Sequence, residues 1–247
     1  MGIGGTLGKR LAPRVSRLAP DLSASFVHEA LRRAIDGIGP LPPAAQAADK
    51  QLAEQGGDVD RAVHEVIENH VRYAGVQGFA TNLGGLVTAA VAIPTNIAGI
   101  ALIQCRVVAG IAHLKGYDLA DQRVRNAVLA CILGEDAVRS LVRRKKLPST
   151  PMGIATAPAH DPHLDLVMAA EVTSELITKV AGKRIATTVG RRVPVVGGLV
   201  GASADAYATW QVARYADREL LPRARAGHRN RADHTNGADQ QRRAASG

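Results

Sequence analysis

The stretch YAGVQGFATNLGGLVTAAVAIPTNIAGIALIQC, Tyr73–Cys105, decides how this chain folds. It contains no charged residue and is bounded by Arg72 and Arg106. Gly, Ala, Thr and Asn are abundant in it, and small residues at three- and four-residue spacing let two helix backbones approach closely. We place Pro94, which divides the stretch, at the start of a second helix, where its missing N–H costs no hydrogen bond. The stretch predicts a tightly packed helical hairpin.

Three arrangements of this hairpin are compatible with its sequence. The whole stretch is long enough to cross a bilayer once, but each half is shorter than the roughly 20 residues of a spanning helix. In lipid, its polar side chains would each need a hydrogen-bond partner. These are Gln77, Asn82, Thr88, Thr95, Asn96 and Gln104. We expect a hairpin buried in a folded domain; the alternatives are insertion into the membrane interface and a transmembrane span.

Helical periodicity and helix-ending signals continue on both sides of the hairpin. Glycines are predicted to end three helices, and Gly116 fits the left-handed position that follows a helix C-terminus. Asp58 and Asp118 are predicted to cap the helices that follow them. These patterns predict an all-α fold, with a single helical domain over residues 21–221 and glycine-rich apolar hairpins in its core.

The C-terminal part of the domain repeats the pattern of the hairpin. An uncharged stretch over residues 193–204 again contains glycines, which suggests that the two glycine-rich helices pack on each other. The helix before it is predicted to turn Leu166 and Ala169 inward. Four prolines in residues 147–163 predict a linker or long surface loop, and the polar residues 222–247 predict a disordered basic tail.

Charge and composition restrict the partners. The net charge is +9, and arginines after Leu221 supply much of this excess. Aromatic residues make up 3% of the chain, which argues against the stacking platforms of proteins that bind single-stranded nucleic acid. Cys105 and Cys131 lie in apolar helical stretches, which favours a reducing compartment. We therefore expect a cytoplasmic protein whose anionic partner is a membrane surface.

Two groups of basic residues could contact that surface. The N-terminal segment, residues 1–20, alternates Lys9, Arg10 and other basic residues with leucine and valine, as in a short amphipathic helix, although Pro13 lies inside it. The second group is Arg143, Arg144, Lys145 and Lys146, placed where cations stabilise a helix C-terminus. Each group is a candidate contact with anionic lipid or with a partner protein. A frayed terminus and a solvated helix end are the structural alternatives.

Polar residues within the apolar helices are the candidates for chemistry. They are Asn96, His113, Asp118 and Asp205. Asp205 could be a general acid with a raised pKa, or it could pair with Arg106 or Arg192 for packing. The segment AHDPHLD, residues 159–165, offers metal-ligating side chains, but no Cys or HExxH pattern supports a metal site, and Asp161-Pro162 is typical of the start of a helix. We predict no catalytic residue, metal or cofactor.

The order of several short motifs resembles the EcsC family of bacterial proteins. The motifs are Gly-Gly-Leu at 84–86, Ile-Pro-x-Asn at 93–96, Arg106, Ala-His at 112–113, Gly-Tyr-Asp-Leu at 116–119, CILG at 131–134 and the closing segment 190–220. The resemblance covers roughly Ala30–Leu221. It implies a domain that associates with membranes in some members, and it implies no catalytic chemistry.

Two main hypotheses about function follow, and a third, weaker one is nucleic-acid binding by the basic tail. The first is a non-enzymatic, membrane-associated accessory protein, peripheral at the inner membrane, that binds an anionic lipid surface or a membrane protein. The second is an enzyme acting on a lipid or another apolar substrate, with the four polar core residues converging on one pocket. Convergence or dispersal of those four residues discriminates between the two hypotheses.

Overall fold

A computed structural model describes residues 24–83, 89–189 and 194–223, with side chains described for residues 27–76, 99–175 and 203–223. Nine helices lie within these ranges, and the predicted all-α fold is confirmed there. They are α1 (Ala24–Asp36), α2 (Ala44–Glu54), α3 (Val59–Leu83), α4 (Ala89–Leu114), α5 (Gln122–Leu133), α6 (Glu135–Arg143), α7 (Pro151–Ala155), α8 (Pro162–Val189) and α9 (Pro194–Glu219). Residues 1–20, with Lys9 and Arg10, and nearly all of the predicted tail lie outside the described residues.

Helix α4 is the centre of the domain. It contacts α1, α2, α3, α5, α8 and α9. All residues from 104 to 112 in its second half are buried, and Val107, Val108 and Ile111 are fully buried. A helix that is hydrophobic all round belongs in the middle of a protein, so the neighbouring helices pack around it.

The predicted hairpin is formed by α3 and α4, which pack against each other. A Cβ added to Gly110 would lie 3.2 Å from Cγ1 of Val66 and 3.9 Å from Cβ of Ala48. The second half of α4 therefore adjoins the first half of α3, and the two helices are antiparallel. Close backbone approach, which the sequence predicted for the uncharged stretch, is seen at Gly110, beyond the end of that stretch.

Glycines end helices where the sequence predicted. Gly116 has a φ of +86°. Its N–H donates to the carbonyl of His113, and the N–H of Tyr117 donates to that of Ala112, both at 3.0 Å. This is the Schellman arrangement, in which a left-handed residue satisfies the last carbonyls of a helix. Gly56, with a φ of +63°, ends α2 in the same way.

Three local predictions were wrong. Pro94 was predicted at the start of the second helix of the hairpin, but it lies in the second turn of α4, because that helix begins at Ala89.

Asp118 was predicted to cap the next helix, but the N-cap of α5 is Asp121, whose carboxylate accepts a 2.8 Å hydrogen bond from the N–H of Arg123. Asp118 accepts instead from the N–H of Ala120 within the preceding turn. Leu166 is exposed, since α8 turns Leu164, Met168 and Val172 inward.

The proline-rich segment is partly structured. Residues 151–155 form the one-turn helix α7, whose Pro151 and Ile154 are buried and which packs on α5. Proline suits the first position of a helix because its N–H would have no intrahelical partner there. The predicted loop therefore contributes to the core.

A buried ion pair joins the C-terminal ends of α4 and α9. Lys115 follows α4 and is 6% exposed, and its Nζ lies 2.7 Å from Oδ1 of Asp217 on α9. The N–H of Arg223 donates to the carbonyl of Lys115 at 2.8 Å, and the hydroxyl of Tyr117 donates to that of Leu221 at 2.9 Å. Helices α4 and α9 therefore run in the same direction, opposite to α3, and α9 packs along α3 and against α4.

Candidate functional site

The helix directions bring three uncharged segments to one end of the domain. They are residues 77–83 of α3, 89–98 of α4 and 194–202 of α9. We call them the uncharged end. The last residues of α3 and the first residues of α4 meet there because these two helices are antiparallel. The first residues of α9 also lie there, because the ion pair of Lys115 with Asp217 places the C-terminal ends of α4 and α9 together at the other end of the domain. None of the helices within the described ranges is long and apolar enough to cross a membrane.

Exposed apolar side chains border the uncharged end on two helices. Tyr73 and Val76 on α3 are 62% and 70% exposed, and Tyr207 and Trp210 on α9 are 59% and 45% exposed. The rings of Tyr207 and Trp210 stack with centroids 5.9 Å apart. We call these four residues the aromatic border. Tyrosine and tryptophan join an apolar body to a polar tip, which suits a boundary between water and an apolar phase.

The sequence analysis did not select the aromatic border. The signal was present, since Tyr207 and Trp210 stand three residues apart directly after an uncharged run. Two facts were lacking: which face of α9 is covered, and that Tyr73 of a distant helix belongs to the same region. The chain holds one tryptophan, four tyrosines and two phenylalanines, so three of its seven aromatic residues lie in this border.

The C-terminal half of α8 carries basic residues to the same end. Lys179, Lys183 and Arg184 stand on α8, which ends at Val189, and α9 begins five residues later at Pro194. The end of α8 therefore lies near the start of α9. Positive charge beside an uncharged surface is the combination by which proteins bind anionic membranes.

The predicted basic cluster at the end of α6 is exposed and partly paired. Nζ of Lys146 lies 2.7 Å from Oε1 of Glu171, on the first half of α8, and the guanidinium of Arg144 donates to the Ser140 hydroxyl. Lys145 has a φ of 57°, in the left-handed region that glycine favours. Arg143 is exposed on the last turn of α6. Lys145 and Lys146 line a cavity of about 550 Å³ that also contains the acidic Asp161 and Glu171.

The four polar core candidates are dispersed. Asn96 and His113 stand on α4 about five turns apart, which separates their backbones by about 26 Å. Nε2 of His113 lies 2.8 Å from Oδ1 of Asp49 on α2. Asp118 is exposed in the turn after α4. The side chain of Asn96 lies outside the described residues.

Asp205 is buried on α9, at 5% exposure, and it has an interaction partner. It stands about 18 Å along α9 from Asp217, which lies beside Lys115 at the end of α4. The guanidinium of Arg106, one predicted partner, donates to the carbonyl of Ala34 at 3.3 Å, and Arg192 lies outside the described residues. Asn96, His113, Asp118 and Asp205 therefore do not form one pocket.

Several polar side chains are buried where the helices pack. The side-chain amide of Gln104 and the hydroxyl of Thr209 are buried with no hydrogen-bond partner among the described residues. His70 interacts through Nδ1 with the carbonyl of Val66 at 2.7 Å, while its buried Nε2 has no partner in the part of the chain that the structure describes. Burial lowers the pKa of His70 to about 4 and raises the pKa of Cys105 to about 12, so both groups are neutral near pH 7.

The histidine and aspartate side chains of residues 160–165 have structural partners. Oδ1 of Asp161 accepts from the N–H of His163 at 3.0 Å and so caps α8, as the sequence predicted. Oδ1 of Asp165 lies 2.9 Å from Nε2 of His160 and accepts a 2.6 Å hydrogen bond from Asn126. No group of three or more potential metal-ligating side chains occurs among the described residues.

Comparison with known proteins identifies a family. The sequence profile described as the EcsC protein family matches residues 14–223. No curated protein matches the chain significantly. No solved structure matches it significantly either. The matched range includes all nine described helices.

Proposed function

The chain belongs to the EcsC protein family, and from this premise we propose that it is a non-enzymatic protein that attaches to membranes by its uncharged end. In this proposal it is a peripheral protein of the cytoplasmic membrane face. It binds anionic lipid headgroups, or a membrane protein at the same surface.

One observation carries the proposal: uncharged segments of three helices meet at one end of the domain, with exposed Tyr73, Val76, Tyr207 and Trp210 behind them. Burial of apolar surface stabilises contact with lipid by about 25 cal/mol per Å². In a membrane contact these rings would lie at the level of the headgroups.

Electrostatic attraction would add to the apolar contact. Each lysine or arginine near an anionic surface contributes about 1 kcal/mol at low screening. Lys179, Lys183 and Arg184 stand on the C-terminal half of α8, which ends near the start of α9. The cluster Arg143–Lys146 and the N-terminal Lys9 and Arg10 remain further candidates, and salt sensitivity of binding would report on all of them together.

Co-sedimentation with liposomes tests the proposal. We expect the full-length protein to sediment with vesicles that contain anionic lipid and, in part, to be released by high salt. Val76→Asp and Tyr207→Asp each place a charge in the aromatic border and should reduce binding severalfold. Leu166→Asp, at an equally exposed leucine on the first half of α8, is the matched control and should bind like the parent protein.

The outcomes distinguish the modes of contact. Retention in carbonate would indicate that the uncharged end enters the lipid. Complete release by salt, with no effect of Val76→Asp or Tyr207→Asp, would indicate attachment by the basic residues alone. Absence of sedimentation with any vesicle would overturn the proposal.

A further inference from the structure

A cleft opens beside the aromatic border, where the junction of α5 and α6 meets α8 and α9. Its volume is about 410 Å³. Its charged and aromatic lining residues are Trp210, Arg214, Tyr215 and Arg218 from α9, Glu135 and Asp136 from α6, and Glu175 from α8. Trp210 belongs both to this cleft and to the aromatic border, so the cleft adjoins the surface that we propose contacts the membrane.

The charges of the cleft leave one carboxylate available. Glu135 pairs with Arg218 at 3.0 Å and with Arg139 at 2.5 Å. The guanidinium of Arg214 lies 3.2 Å from the carboxylate of Asp217. Glu175 also has an interaction partner. Asp136, which also lines the cleft, has no ion-pair partner among the described residues.

Tyr215 provides an independent sign of a ligand. It lines the cleft and is 6% exposed, yet within the described part of the chain its hydroxyl makes no hydrogen bond. The hydroxyl oxygen itself is not fully buried, so it is open to the cleft, where a ligand or water can bond to it. Burial and the nearby acidic side chains raise the pKa of Tyr215, so the phenol stays protonated and its oxygen can accept a hydrogen bond.

We propose that this cleft binds a primary ammonium group, such as the one that ends a phosphatidylethanolamine headgroup. The indole of Trp210 attracts a cation to its face, Asp136 supplies the opposite charge, and the Tyr215 hydroxyl accepts an N–H bond. A soluble primary amine would present the same chemistry. In its lipid form this inference rests on the proposed membrane contact.

Fluorescence of Trp210 tests the proposal directly, because the chain contains no other tryptophan. Phosphoethanolamine is titrated into the full-length protein at constant ionic strength, with phosphocholine and glycerol phosphate as controls. We expect a saturable change in emission with phosphoethanolamine, a weaker one with phosphocholine, which has no N–H to donate, and none with glycerol phosphate. Equal changes with all three compounds, or none with phosphoethanolamine, would overturn the proposal.

A charge-neutral variant and a matched control locate the site. Asp136→Asn should weaken phosphoethanolamine binding roughly two- to fivefold, as expected for loss of one exposed ion pair. Asp60→Asn, which also removes an acid from a helix first turn but lies on α3, should leave it unchanged. Equal affinities of the parent protein and Asp136→Asn would contradict the assignment.

Vesicle arms separate this inference from the proposed function. Suppose that anionic vesicles bind, that adding phosphatidylethanolamine to them does not change their affinity, and that soluble phosphoethanolamine does not change Trp210 emission. The ammonium site is then wrong, and the proposed membrane contact stands. If soluble phosphoethanolamine binds and no vesicle does, the site holds for a soluble amine and the membrane contact fails.

Discussion

Nζ of Lys115 lies 2.7 Å from Oδ1 of Asp217, and this ion pair joins the end of α4 to the end of α9. Lys115 also donates through Nζ to the backbone carbonyl of Asp217. The two residues are 102 positions apart in the chain. The pair shows that the two helices run in the same direction and therefore which of their ends lie together. Because the C-terminal ends of α4 and α9 lie together at this pair, their N-terminal ends lie together at the uncharged end.

Removing the lysine charge should destabilise the fold. Lys115→Met leaves the partly buried Asp217 with only the more exposed Arg214 as a cation. We expect a loss of about 2–3 kcal/mol in the free energy of unfolding, below that of a fully buried pair because Arg214 remains. Urea unfolding followed by circular dichroism measures it. Lys50→Met is the control, since Lys50 is exposed and lies 3.7 Å from Glu54, and it should change stability by less than about 0.5 kcal/mol. Similar losses for the two variants would contradict a structural role for the Lys115 pair.

Replacing Lys145 with glycine should stabilise the protein. Lys145 has a φ of 57°, and its N–H donates to the carbonyl of Val142 at 2.9 Å, as at the glycine position of a Schellman turn. Glycine adopts this left-handed conformation without the steric cost that lysine has, and this gain exceeds the cost of the greater backbone freedom of glycine in the unfolded chain. Lys145→Gly should therefore raise the free energy of unfolding by about 0.5–1 kcal/mol. Thermal unfolding measures the gain. Lys146→Gly is the control: it loses the contact with Glu171 and should destabilise the protein. If Lys146→Gly also stabilised the protein, the gain of Lys145→Gly would not come from the backbone conformation of residue 145.

Acid should destabilise the protein through His70. Burial lowers the pKa of this histidine to about 4, while an unfolded histidine titrates near 6.5. Between these values the unfolded state binds more protons, so stability should fall by about 2–3 kcal/mol as the pH decreases from 7 to 4, then level off with respect to this group. His70→Leu should remove that part of the pH dependence. His64→Leu, at an exposed histidine on the same helix, should retain it, and a loss in both variants would assign the effect elsewhere.

The space between α3 and α4 should reject a large side chain. A Cβ at Gly110 would already lie 3.2 Å from Cγ1 of Val66. Gly110→Leu should therefore destabilise by about 3 kcal/mol or more, as overpacked cores do. Combining it with Val66→Ala should recover part of the loss, because the cavity left by valine admits the new side chain. Additive losses in the double variant would show that the two residues do not share this space.

The sequence predicted the features that depend on local chemistry. Gly116 ends α4 because a left-handed residue follows a helix, and Asp161 caps α8 because its carboxylate reaches a nearby N–H. Local chemistry did not choose between Asp118 and Asp121, which are both plausible caps; the helix begins at Gln122, so Asp121 caps it. Pro94 lies within α4 although proline disfavours a helix interior.

The candidate site depended on information that the sequence does not carry. The lack of charge in residues 73–105 and 193–204 could be read directly, but their meeting at one end follows from the contact of Lys115 with Asp217. Exposure of Tyr73 and Trp210 likewise depends on which faces of α3 and α9 are covered. Polar residues chosen because they lie in apolar runs, such as His113, instead have structural partners, here Asp49 on another helix.

The emission of Trp210 in the presence of vesicles tests the central claim most directly. The account predicts that anionic vesicles shift the emission of this single tryptophan to the blue, that lipids brominated along their acyl chains quench it, and that Val76→Asp reduces both effects while Leu166→Asp does not. Sedimentation with vesicles while Trp210 emission stays unchanged and unquenched would contradict the account, because the membrane would then be held by a surface other than the uncharged end and its aromatic border.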